Sequence, residues 1–125
     1  MARTFFLIAS AFSFLGVAFG AFGAHTLKQK LTPDALQVFE VGVRYQMYHA
    51  FALFVVAWAI HTWNIPAGAA GWSFVAGIVL FSGSLYAIAL TGVSSFGMIT
   101  PFGGLCFLLG WFLLGWQVWK GIAAQ

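Results

Sequence analysis

Three histidines, His25, His49 and His61, with a few hydroxyl and amide side chains, are the residues of this chain whose types could do chemistry. Gln46 and His49 fall on one helical face with Gly42 and Tyr45, and Ser82 and Tyr86 are i,i+4 neighbours. Ser84 lies between those two, and Thr100-Pro101 opens a later segment. Several chemistries compete for this set. A buried hydrogen-bond network needs only that Gln46, His49, Ser82 and Tyr86 satisfy one another. His25 and His49 could hold a haem or a soft metal ion, but two histidines without a carboxylate or thiolate are a thin ligand set. A Ser–His dyad, Ser82 or Ser84 with His49, would also need an oxyanion hole and a path for water. A pocket for lipid or another small molecule is the fourth reading. His61 stands about 18 Å along a helix from His49 at 1.5 Å per residue, so it cannot join them. The expectation is a buried polar cluster of His25, Tyr45, Gln46, His49, Ser82, Ser84, Tyr86 and Thr100. No catalytic residue and no cofactor are assigned, with a haem or metal ion on His25 and His49, or bound lipid, as alternatives.

The surroundings of these residues are overwhelmingly apolar. Hydrophobic residues make up 62% of the 125 and charged ones 6%, and the mean hydropathy is +0.98. That is too little polar surface to cover a water-facing core, so a soluble domain is excluded. No Asp, Glu, Lys or Arg occurs between Arg3 and Lys28, or from Tyr45 through Trp119, so both regions can enter hydrocarbon without stranding a charge. The formal charge of +3 comes from scattered flanking residues, and without a basic stripe nucleic acid is not a partner. A lone Cys106 excludes an internal disulfide and a cysteine-based zinc site. The lack of Asp or Glu within any span also argues against a proton-coupled pump.

A bilayer core takes roughly 20 apolar residues as helix. Four such runs are expected, at about 5–24, 45–61, 72–90 and 100–119. The first is read as a span and not a secretory leader, because it exceeds the roughly 7–15 apolar residues of a leader's core. Thr32-Pro33-Asp34 has the form of a helix start, with a hydroxyl cap, proline in the first turn and an acid near the positive end of the dipole. From there residues 33–44 read as an amphipathic interfacial helix carrying an exposed Glu40–Arg44 ion pair, with Gly42 a bend before the second span. Trp63, Trp72, Trp116 and Trp119 fall near span ends, as an aromatic belt requires. The expected fold is all-α: one transmembrane domain over 1–125, folded as a four-helix bundle with its termini on the cytoplasmic side.

Helices in lipid associate through small residues that let backbones approach. Ala9, Ser13, Gly16, Gly20 and Gly23 form such a seam in the first span, Ser73, Gly77 and Ser84 another in the third, and Gly103 and Gly110 mark the fourth. Packing within one bundle is the plainer reading of these seams, and a homo-oligomer interface the sharper one.

The strings Gly20-Ala21-Phe22-Gly23-Ala24-His25, Tyr45-Gln46 with His49, Phe81-Ser82-Gly83-Ser84-Leu85-Tyr86, and Thr100-Pro101 with Gly103-Gly104 draw on all four spans. In these the chain resembles the YgdD-like family of small bacterial inner-membrane proteins, the domain of unknown function 423, with relatives among eukaryotic transmembrane protein 256. The resemblance implies a four-helix, multi-pass protein of the bacterial inner membrane and carries over no activity, cofactor or catalytic residue. With no large soluble loop, no catalytic constellation and several small-residue seams, the expected role is non-enzymatic, exercised through association with itself or a larger membrane complex in contact with membrane lipid. The alternatives are a small transporter or channel using the polar half-membrane pocket, and a haem or metal protein.

Overall fold

The computed structural model describes residues 1–124, and all regular structure among them is helical. Four rods follow one another. The first, α1 (Ala2–Lys30), passes through a π turn at Gly23–Leu27 before its last residues. The second, α2 (Pro33–Trp63), is a single unbroken helix of 31 residues. The third, α3 (Gly68–Thr91), contains a second π turn at Ile78–Ser82. After a 3-10 turn at Ser94–Met98 comes α4 (Thr100–Ala123).

The stretches Ala2–Lys30, Gly68–Thr91 and Ser94–Ala123 are long and apolar enough to cross a membrane. The second rod is less apolar because Asp34, Glu40 and Arg44 occupy its first turns and Gln46 and His49 its middle. It is also the most enclosed: Phe39, Gly42, Gln46, His49, Leu53 and Val56 are all buried along it. Both α1 and α3 pack along α2, whereas α4 packs mainly on α3 and only touches α2. Facing residues descend along α1 as they climb along α2, so those two run antiparallel. A Cβ on Gly23 would meet Phe39, one on Gly20 would meet Val43, and one on Gly16 would meet Met47.

Thr32 caps α2 as its sequence implies, its hydroxyl accepting from the Ala35 N–H at 3.2 Å. The helix stops at Asn64, whose left-handed backbone (φ 52°) turns the chain toward α3. Two expectations for this region need correction. Gly42 does not separate two helices, since α2 runs unbroken through it; it is glycine because a Cβ there would lie 2.7 Å from the Tyr86 ring. Glu40 and Arg44 stand exposed one turn apart, but no ion pair joins them among the described residues. In water the Coulomb gain of such a pair barely offsets the ordering of two long side chains.

The small-residue seams are spent inside the chain. Gly16, Gly20 and Gly23 admit α2 against α1. Between α3 and α4 a Cβ on Gly77 would lie 2.3 Å from the Phe107 ring, and one on Gly103 would lie 2.3 Å from the backbone nitrogen of Phe81, so there the obstacle is backbone and not a side chain. Gly110 receives the Phe74 ring in the same way. Ser73 takes no part, its hydroxyl turning back to the Ala69 carbonyl on its own helix. The main core gathers Phe5, Leu53, Val56, Phe74, Phe107 and Leu114 from all four rods, and a smaller cluster of Leu27, Phe39 and Ala89 closes the other end.

Candidate functional site

The polar residues of α2 and α3 meet at mid-height, and most of their hydrogen bonds cross from one helix to another, the exceptions being those of His49 to the Tyr45 carbonyl and of Ser84 to the Phe81 carbonyl. Gln46 is the hub. Its Nε2 donates to the Phe12 carbonyl of α1 at 2.8 Å, and its Oε1 accepts from the Tyr86 hydroxyl of α3 at 2.7 Å. One side chain thus ties three rods together. At the end of the α3 π turn, Ser82 donates to the Gly42 carbonyl at 2.6 Å, and it is fully buried. Ser84 shares a hydrogen bond of 2.6 Å with Thr100, fastening α3 to the first turn of α4.

His49 makes the remaining link. Its Nδ1 lies 2.7 Å from the Tyr45 carbonyl, and its Nε2 lies 3.2 Å from Nε1 of Trp111 on α4. A carbonyl only accepts and an indole N–H only donates, so the imidazole carries its proton on Nδ1 and accepts at Nε2. Its ring stacks on Phe107 with centroids 3.5 Å apart. Both nitrogens and one face of the ring are therefore occupied by the protein itself.

Six residues of the expected cluster, Gln46, His49, Ser82, Ser84, Tyr86 and Thr100, are brought together as these links. Tyr45 contributes its carbonyl, while its ring lies half-exposed beside Phe81. His25 is not drawn in: it is exposed in the π turn of α1. Gly23 sits opposite Phe39, and Phe39 precedes His49 by ten residues, so the two histidines are separated by about 15 Å along the bundle at 1.5 Å per residue. They do not converge on a common ligand, and the described residues hold no group of three or more His, Cys, Asp or Glu that could bind a metal. Nor does either serine approach the imidazole, because Ser82 is turned to Gly42 and Ser84 to Thr100. On the seam of α1, Ser13 keeps a buried hydroxyl without a partner.

Sequence reasoning missed Trp111. The available signal was its position, since it is the tryptophan placed in the middle of its span. An indole N–H at that depth has no water to bond and so needs an acceptor on a neighbouring helix.

Beside this network, α2 and α4 diverge and leave a groove of about 760 Å³. Tyr45, Tyr48 and His49 form one wall, Pro101, Gly104, Leu108 and Trp111 the other, and Phe81 and Phe107 the floor. It is apolar apart from aromatic edges and the occupied imidazole.

A family described as "Protein of unknown function (DUF423)" matches over residues 19–104. The UPF0382 membrane protein YwdK of Bacillus subtilis is 44% identical over 114 residues, covering 90% of this chain and 93% of that protein. The UPF0382 membrane proteins SH2409 of Staphylococcus haemolyticus and its counterpart in Staphylococcus epidermidis are each 42% identical over 112 residues, covering 90% of this chain and 92% of theirs. No solved structure matches. The matched segment begins in α1 and ends in the first turns of α4, so it contains every residue of the polar network except Phe12 and Trp111, and the chain belongs to the DUF423 family of UPF0382 membrane proteins.

Proposed function

We propose that this protein is a non-enzymatic, multi-pass component of the bacterial cytoplasmic membrane that acts by lateral association with itself or with a larger membrane complex. The observation that carries this reading is that the buried polar groups are consumed in helix-to-helix bonds. Gln46, His49, Ser82, Ser84, Tyr86 and Thr100 each spend their hydrogen bonds on a neighbouring rod or on their own helix. A general base needs a free lone pair and a hydroxyl nucleophile needs a base to take its proton; here the His49 Nε2 lone pair is taken by the Trp111 N–H, and the Ser82 and Tyr86 protons are donated to the Gly42 carbonyl and Gln46 Oε1. What remains for interaction is the outer surface, where the α2–α4 groove offers a concave apolar face with Gly104 on its wall. Glycine at such a wall lets another helix come close.

In this reading all four rods form a membrane-embedded bundle. At about 1.5 Å per residue α2 is roughly 46 Å long, against a hydrocarbon core of about 30 Å, so its charged first turns, through Arg44, lie in the interface. The termini are assigned to the cytoplasmic side.

Crosslinking in native membranes tests the association. With Cys106 replaced by serine, Leu108→Cys in the groove should give one discrete product, while Leu7→Cys on the outer face of α1 gives none. Identical patterns from both positions, or no product from Leu108→Cys, would overturn the reading.

A further inference from the structure

A second cleft, of about 320 Å³, opens between the start of α1 and the end of α2. Its floor is apolar. Phe6 and Phe54 meet edge to face with centroids 4.8 Å apart, and Trp58 forms a side wall. Its mouth is cationic through Arg3, and His61 lines the same cleft from the opposite helix. The antiparallel arrangement puts both on the water side of that floor: Arg3 is about 4.5 Å outside Phe6 along α1, and His61 about 10 Å outside Phe54 along α2.

The charged side chains at this end have one sign. The chain's only Asp and Glu, Asp34 and Glu40, sit at the far end of α2, about 40 Å and 32 Å along the helix from His61. Lys120 lies at the near end, over the Trp116 ring at 5.3 Å, and its neighbour Gly121 faces Ile65. Trp63 packs on Trp58 with centroids 4.6 Å apart, the aromatic pairing expected at headgroup level. A cationic mouth over an apolar floor is complementary to one class of molecule in a bilayer, an anion joined to a hydrocarbon chain.

We propose that this cleft binds one anionic phospholipid, with its phosphate held by Arg3 and His61 and an acyl chain laid over Phe6, Phe54 and Trp58. A guanidinium holds a phosphate by paired, charge-assisted hydrogen bonds, and the histidine adds a second donor from the other helix. The lipid would thereby bridge α1 and α2 at an end where no hydrogen bond of the polar network reaches. The cleft lies apart from the α2–α4 groove, so this proposal does not depend on lateral association.

The test is native mass spectrometry of the full chain in mild detergent, titrated separately with phosphatidylglycerol and phosphatidylcholine. The expected result is retention of one phosphatidylglycerol with about tenfold preference over phosphatidylcholine, whose phosphate is the same but whose choline cation offsets its charge and is repelled by Arg3. The double variant Arg3→Gln/His61→Gln should lose that preference, while Lys28→Gln/Lys30→Gln, which removes equal or greater charge at the other end, keeps it. Both cleft side chains are exposed, so the double variant should melt like the parent in lipid-free detergent. Added phosphatidylglycerol should then raise the melting temperature of the parent alone. Equal retention of the two lipids by the parent, an undiminished preference in the double variant, or the same loss in the Lys28/Lys30 variant would overturn the proposal.

Discussion

Gly103→Ala isolates the tightest point of the fold. An alanine Cβ there would lie 2.3 Å from the Phe81 nitrogen and 2.7 Å from its Cα, about 1.1 Å inside the 3.4 Å at which ordinary contact begins. The obstacle is backbone, so no rotamer change relieves it; α3 and α4 must move apart by about an ångström. That displacement also stretches the Ser84–Thr100 bond, which starts at 2.6 Å and lies three residues from Gly103. Overpacking of a close-packed site costs about 1–3 kcal/mol, and a weakened intramembrane hydrogen bond adds about 0.6 kcal/mol, so roughly 2–3 kcal/mol is expected. Gly115→Ala is the control, because a Cβ there meets nothing within 4 Å and alanine is the better helix former by roughly 0.5–1 kcal/mol. Thermal unfolding of both variants in one detergent should show Gly103→Ala melting well below the parent and Gly115→Ala at or above it. Equal shifts would mean that α3 and α4 do not touch at Gly103, and the description of that helix pair would be refuted.

Other substitutions probe the polar network. Gln46→Leu removes two interhelical bonds and strands the Tyr86 hydroxyl, so it should cost about 1–3 kcal/mol, more than Tyr86→Phe, by unfolding in detergent. His49→Ala should destabilise by several degrees, because it breaks the link to Trp111 and vacates the stack on Phe107, while the exposed His61→Ala should not; equal shifts would refute the assignment of faces on α2. Ser13→Ala should be neutral or stabilise by up to about 1 kcal/mol in the same assay, since it deletes a buried hydroxyl that has no partner.

Much of the fold is legible in the sequence because a bilayer makes hydropathy and helix geometry agree. Each expected apolar run lies within one of the four rods, three of which are long and apolar enough to cross a membrane, and the Thr32-Pro33-Asp34 start is where α2 begins, one helix that joins the expected interfacial segment to the run at 45–61. The glycines of α1, α3 and α4 could be placed on stripes by periodicity alone, but which helix each stripe meets is a tertiary fact. Gly42 shows the limit. From sequence a glycine between a charged segment and an apolar one reads as a hinge, whereas its neighbour in space, Tyr86, is 44 positions away and gives no local sign. The two π turns were equally invisible, since Gly23–Leu27 and Ile78–Ser82 have no composition that marks a wider turn.

The site follows from a tension that hydropathy exposes. The helix least suited to lipid is α2, carrying Gln46 and His49 in its middle, and it is the one that α1 and α3 both pack along. Each polar group at that depth must find a partner inside the protein, and so a helix bearing several of them is drawn to the position with the most neighbours. The partners are partly side chains with matching sequence signals, such as Ser82 and Tyr86, and partly backbone carbonyls of Phe12, Gly42 and Tyr45, which no residue type announces. The α4 partner, Trp111, hides for a different reason: tryptophan in a membrane sequence is expected at the interface, where five of the six in this chain do lie near helix ends. A tryptophan out of that belt is therefore a polar residue in disguise. Among the described residues its N–H completes the only hydrogen-bonded link from α4 to α2, next to the groove where those two helices part.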